Sequence, residues 1–184
     1  CDRMALPQEN TYTIEDIYSL PEGTRAELID GQIYYMAPPN RIHQEIVHFL
    51  DRTIGNYIVQ KEGSCKIYPA PFAVFLNKDD RNYVEPDLSV ICDLSKLNDK
   101  GCQGAPDWII EIVSPGNPEH DYITKLEKYK TAGVREYWIV DPKAKSVTVY
   151  FFEGDIWSKS YTFSNTVPVN IYDDLTIDFT QLKL

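Results

Sequence analysis

The sequence predicts a mixed α/β fold, a central sheet with helices on both sides. Three observations carry this. Apolar residues recur at helical spacing from Ile42 to Ile58, short β-like runs surround that stretch, and a second helix-like segment near 118–132 lies between two further runs, Asp107–Val113 and Glu136–Val140.

The elements follow in order. Thr13 precedes Ile14-Glu15-Asp16-Ile17-Tyr18 and reads as the N-cap of a short helix. Ala26–Ile29 and Gln32–Met36 flank Asp30-Gly31, a strong two-residue hairpin signal. Pro38-Pro39-Asn40 opens the long helix, whose apolar stripe runs through Ile42, Ile46, Phe49, Leu50, Ile54 and Ile58. Three β-like segments follow at 65–68, 72–76 and 83–92, then a polar loop holding Gly101 and Gly104. After the Glu111 strand, the second helix is expected from about Pro118 to Ala132, with Gly133 as its C-cap. Of Tyr137 and Trp138, which alternate in the next strand, one is expected in the core. Strands at 147–152 and 156–163 complete the reading. Residues 11–184 are read as one domain and 1–10 as an N-terminal tail.

The chain has 184 residues, 43 % hydrophobic and 25 % charged, as a globular protein has. No apolar run is long enough to span a bilayer and no secretion signal is read, so a cytoplasmic location is expected and no membrane contact. Cys1, Cys65, Cys92 and Cys102 show no CxxC spacing, which argues against a zinc site, and reduced thiols are expected. The net charge of −10 argues against broad, non-specific binding of nucleic acid, but not against a nuclease whose cleft gains positive charge from a metal ion and a local basic cluster, here Lys125, Lys128, Lys130 and Arg135.

The chemistry centres on acids inside apolar strands. Glu111 lies within Trp108-Ile109-Ile110-Glu111-Ile112-Val113, where a carboxylate must be paired, protonated or metal-bound. Asp87 stands at the head of a second apolar run, on one strand face with Glu85 and Ser89, beside Pro86, which favours a bend or an edge. If the two strands are neighbours, both carboxylates can meet one hard cation. Downstream, Asp121, Lys125 and Lys128 fall on one helix stripe, and a lysine there can reach back to the cation; an ordinary solvated face is the blander reading. Glu27, in the hairpin, is a candidate extra ligand or base, and His43, in the first turn of the long helix, a weaker catalytic candidate.

These residues resemble a known pattern. Pro86-Asp87 followed by Glu111-Ile112-Val113 resembles the split PD-(D/E)XK motif of the restriction-endonuclease-like nucleases. The match is closer to one branch, a large bacterial family long catalogued as a domain of unknown function. Glu27-Leu28-Ile29-Asp30-Gly31 with His43, then Pro86-Asp87-Leu88, then a block from Glu111 through Ser114-Pro115, Asp121, Lys125, Tyr129 and Gly133 to Asp141-Pro142 carry it. The resemblance implies a restriction-endonuclease-like core with extra C-terminal strands. It implies Asp87 and Glu111 as Mg²⁺ ligands, with Mn²⁺ as a substitute, and a contribution from Glu27. The motif lysine would stand at position 113, which is valine here; Lys125 matches the place of the displaced lysine in variant members.

The expectation is therefore a Mg²⁺-dependent DNA endonuclease with Asp87, Glu111, Lys125 and Glu27 at its site. Two alternatives stand beside it: a catalytically inactive nuclease fold that binds nucleic acid or protein, and a phosphodiesterase acting on RNA or a small substrate. A homodimer is expected as well, because cutting two strands is simplest with two sites related by a two-fold axis. The aromatic C-terminal segment (Tyr150, Phe151, Phe152, Trp157, Tyr161, Phe163) would supply its apolar surface.

Overall fold

The computed structural model describes residues 11–115 and 120–184, with the side chains of His120 and Asp121 outside the description. The 1–10 tail, the helix start at Pro118 and the place of Asp121 on the lysine stripe therefore fall outside the described residues.

Helix α1 (Ile14–Tyr18) is capped as its sequence suggests: Thr13 N–H donates to Asp16 Oδ2 at 2.8 Å, and Asp16 N–H donates back to Thr13 O at 3.0 Å. Strands β1 (Ala26–Ile29) and β2 (Gln32–Tyr35) form an antiparallel hairpin. Its turn residues have φ of 48° at Asp30 and 79° at Gly31, the pair of positive values that a tight two-residue hairpin needs. Helix α2 (Arg41–Gln60) starts at Asn40, whose side chain accepts the His43 N–H at 2.8 Å. Its buried stripe is Ile46, Phe49, Leu50, Ile54 and Ile58, each worth about 1.5–3 kcal/mol on burial.

The main sheet is built from β3 (Lys66–Pro69), β5 (Leu88–Ile91), β8 (Trp108–Ile112), β9 (Glu136–Asp141), β10 (Ser146–Phe151) and β11 (Trp157–Thr162). Their spatial order is β11-β10-β9-β8-β5-β3. Only β8 and β9 run parallel, joined over the sheet by helix α3 (Lys125–Ala132); the other neighbours are antiparallel. A turn of π-helix, His120–Thr124, leads into α3, and Gly133 ends it with φ of 101°. Within the described residues the expected helix is π-helical over His120–Thr124 and α-helical only from Lys125.

Strands β12 (Thr166–Pro168) and β13 (Thr176–Asp178) form the C-terminal hairpin. With α2 it covers one face of the sheet, against Leu88, Val90, Trp108, Ile110, Ile112, Trp138 and Val140. The opposite face packs Ile91, Ile109, Val113, Tyr137 and Ile139 beneath Tyr129 of α3 and the β1 segment. Because successive residues of β8 alternate between these two cores, Glu111 emerges on the α3 side.

Several expectations change. The segment 83–92 is a ladder strand only over Leu88–Ile91; Tyr83 and Val84 turn aside to bridge Leu28 and Val74. The polar loop after it holds β6 (Leu97–Asn98) and β7 (Gly101–Gln103), which with β4 (Val74–Phe75) make a small second sheet. Gly101 is required there: a Cβ would lie 2.1 Å from Ala73 O. Tyr137 and Trp138 are both fully buried, one in each core, because the sheet is covered on both faces. Much of the aromatic surface assigned to a dimer is partly buried in the chain itself: Tyr161 and Phe163 pack against one core, Tyr150 and Phe152 against the other.

The thiol expectation is overturned for two cysteines, while Cys102 is a free, buried thiol. Cys65 and Cys92 form a disulfide. The antiparallel register pairs Lys66 with Ile91, so the next residues outward, Cys65 and Cys92, face each other across the strands. Spacing along the chain does not reveal that juxtaposition. Among the described residues no helix is long and apolar enough to cross a membrane.

Candidate active site

The register of β5 and β8 sets the geometry. Leu88 pairs with Ile110 in this antiparallel ladder, so Asp87 and Glu111 stand opposite each other as the next pair outward. Directly opposed residues share a sheet face. Asp87 is locked by its backbone neighbour: its Oδ2 accepts the Ile112 N–H at 2.7 Å. Its Oδ1 lies 3.2 Å from His43 Nε2, on the first turn of α2. The ring's other nitrogen lies 3.0 Å from Gln44 Oε1.

Glu111 is 4 % exposed. Two groups one helical turn apart on α3 reach its Oε1: Lys125 Nζ at 3.1 Å and Tyr129 OH, donating at 2.7 Å. Burial first, and then the negative charge of Glu111, push the Tyr129 hydroxyl well above the ordinary tyrosine range, so it acts as a fixed donor.

Lys125, only 3 % exposed, also meets Glu27 Oε1 at 2.8 Å. A buried ammonium is costly alone, and here two carboxylates compensate it. The other oxygen of Glu27 accepts the Glu85 N–H at 2.9 Å, which fixes the hairpin acid against the segment leading into Asp87. Lys128, on the same helix, turns away and pairs with exposed Asp30 at 2.6 Å. Glu85, on the Asp87 face by sequence alternation, is instead engaged by Arg25 at 2.7 Å and by the Tyr83 hydroxyl at 2.9 Å.

Glu27, Asp87, Glu111, Lys125 and His43 all line one cavity of about 370 Å³. Its charged lining is the carboxylates of Glu27, Asp87 and Glu111 with Lys125, which two of them hold, and Arg25, which Glu85 holds. Mg²⁺ takes hard oxygen donors and is held by one or two carboxylates, with water and phosphate oxygens filling the rest of its shell. Asp87 and Glu111 fit that pattern by donor type and by their place on neighbouring strands. Among the described residues no group of three or more His, Cys, Asp or Glu is gathered so as to hold a metal ion. Asp87 and Glu111 alone would leave most of such a shell to water and phosphate oxygens.

Sequence reasoning missed Tyr129 as a partner of Glu111 and the contact between His43 and Asp87. The first had a signal, the i, i+4 spacing from Lys125 on the helix face that meets the strand. The second depends on how α2 crosses the sheet end, which the local pattern does not encode.

The chain is similar to known proteins. The family named Uma2, described as "Putative restriction endonuclease", matches residues 14–182. A Synechocystis protein, "Uncharacterized protein slr1290", is 25 % identical over 130 residues, covering 70 % of this chain and 67 % of its own. Among solved structures, one described as "a putative nuclease belonging to DUF820 from Anabaena variabilis" superposes with a TM-score of 0.71 over 91 % of this chain and 96 % of that one, at 22 % identity. That likeness shows the fold.

Proposed function

The chain belongs to the Uma2 family of the PD-(D/E)XK superfamily, and from that membership and the site's geometry we propose that it is a Mg²⁺-dependent endonuclease that hydrolyses DNA phosphodiester bonds. The observation that supports this most is the pairing of Asp87 with Glu111 on neighbouring strands, with Lys125 arriving from α3.

Asp87 and Glu111 would hold the cation. Bound there, Mg²⁺ would polarise a phosphoryl oxygen and acidify a water. The protein's own groups do the rest. Lys125 offers an ammonium to the negative charge that builds on the phosphoryl group as water oxygen attacks phosphorus and the bond to the leaving oxygen breaks. Glu27 holds that ammonium in place, and Tyr129 orients Glu111. His43 and the Ile112 amide fix Asp87, so its carboxylate needs no reorganisation to act. Mn²⁺ should substitute for Mg²⁺, both taking oxygen donors.

Two copies acting together would cut both strands, and a two-fold dimer is part of this reading; light scattering over a wide concentration range tests it. The reading places the protein with DNA in the cytoplasm. The Cys65–Cys92 bond is the observation that pulls toward a more oxidising setting.

One observation favours a second reading, an inactive nuclease fold that binds nucleic acid or protein: no described group of three or more ligating side chains is preassembled. Incubating the protein with plasmid and oligonucleotide DNA in Mg²⁺, Mn²⁺ or EDTA separates the two. Metal-dependent cleavage by the native protein that disappears in Asp87→Asn and Glu111→Gln supports the enzyme. No cleavage by the native protein, or equal cleavage by all three, supports the binding module.

A further inference from the structure

Part of the lining of the cavity is aromatic and apolar. Tyr34, Tyr35, Met36, Ala37 and Pro39 contribute to it, as does Pro71. Tyr34 stands across the hairpin from Glu27. Tyr35, the next residue, pairs with Ala26, lines the rim of this cavity as well as a neighbouring one beside Tyr12 and Leu20, and is 67 % exposed, a large ring that the core does not use.

The cations around this cavity are few and occupied. Among the described residues that line it, the lysine and arginine side chains are those of Lys125 and Arg25. Lys125 is held by Glu27 and Glu111, and Arg25 by Glu85 at 2.7 Å. A protein that tracks an intact duplex neutralises many phosphates with lysine and arginine. A net charge of −10 and a mouth whose cations are already paired do not supply that. Stacking on an aromatic face is the other way to hold a nucleic acid, and it needs an unpaired base.

Resting on the endonuclease reading above, we infer that Tyr35 is a stacking platform for an unpaired DNA base, and that the site acts on single-stranded or locally opened DNA in preference to an intact duplex. The base seats on Tyr35 at the rim, and the phosphate beside it reaches the carboxylates that line the same cavity. Stacking that is equal in the ground and transition states sets KM and leaves kcat unchanged.

The test uses the full chain with a fluorescein-labelled single-stranded DNA oligonucleotide, its duplex, and single-stranded RNA of the same sequence. Cleavage in Mn²⁺ should favour the single DNA strand by about tenfold or more in kcat/KM, with Tyr35→Ala raising KM roughly 5- to 150-fold at little change in kcat. Tyr35→Phe keeps the ring and should stay near native. A duplex cut as fast as the single strand, an unchanged KM in Tyr35→Ala, or preference for RNA overturns the inference. Fluorescence anisotropy in Ca²⁺ reads binding without cleavage. If no substrate is cut, the endonuclease reading fails. Binding then decides the platform alone: tighter for the single DNA strand and weakened in Tyr35→Ala if the inference holds, equal for strand and duplex or unmoved by the substitution if it does not.

Discussion

Lys125 places its ammonium 3.1 Å from Glu111 Oε1, fourteen positions back along the chain, and by doing so ties the helix of a β-α-β unit to the strand that precedes it. Lysine at position 113 would have met the same carboxylate from its own strand. Val113 instead packs into the core, and the charge comes from the helix lying over it.

That arrangement makes Lys125 structural as well as chemical. Lys125→Met leaves Glu27 and Glu111 buried without their shared counter-ion, and the metal-free protein should lose about 3–5 kcal/mol of stability. Mn²⁺ should restore part of that loss, since a cation relieves the same repulsion. Lys128 is buried but its partner Asp30 is mostly exposed, so Lys128→Ala strands no buried charge and should cost less than Lys125→Met, with cleavage unaffected. Urea denaturation of both variants, with and without Mn²⁺, checks the pair; equal losses would contradict the different placement of the two lysines.

The Cys65–Cys92 bond closes a loop of 27 positions between antiparallel neighbours β3 and β5. Its reduction should lower stability by about 2–4 kcal/mol. Denaturation with and without dithiothreitol measures this, and Cys65→Ser should abolish the response to the reductant. Native protein indifferent to reductant would contradict the bond's contribution.

Glu136, fully buried, clasps the C-terminal segment. Its Oε1 accepts the Asn170 and Ile171 N–H groups at 2.8 and 2.9 Å, and its Oε2 accepts Trp138 Nε1–H at 2.6 Å. Burial raises its pKa above the ordinary glutamate value of 4.5, and these donors hold part of that rise back. A raised folded-state value means the folded chain holds this proton more tightly than the unfolded chain. The resulting stability is fully present below pH 4.5 and is lost as pH climbs through the folded-state value. Glu136→Gln sets an amide NH₂ against N–H donors and should cost about 1–3 kcal/mol. It should also remove this component of the pH dependence, so the native and variant curves converge as pH rises through that window. Parallel curves would contradict the assignment.

How much of this could be read in advance differs by element. The Asp30-Gly31 turn, the Asn40-led helix and the Glu111 strand each carry a local cause: positive φ at paired turn residues, a side-chain cap, a continuous apolar run. Their neighbours in space do not. Tyr83 leaves its own strand to bridge Leu28, and Cys65 meets Cys92, because distant segments compete for the same edges. The same holds at the site. Asp87, Glu111, Lys125 and Glu27 stood out as charges in or beside apolar runs, whereas the grip of Tyr129 on Glu111 and of His43 on Asp87 arises only when two helices cross the sheet.

The central claim is that Asp87 and Glu111 hold a divalent cation. Those ligands lie far apart in the chain, so the ion binds the folded state alone and stabilises it by mass action, about 2.7 kcal/mol at a hundredfold excess over its dissociation constant. The direct measurement is the melting temperature of the native protein, Asp87→Asn and Glu111→Gln across a Mn²⁺ titration. The account expects a rise in the native protein that is blunted in each variant. Equal rises in all three would place the ion elsewhere and contradict the site.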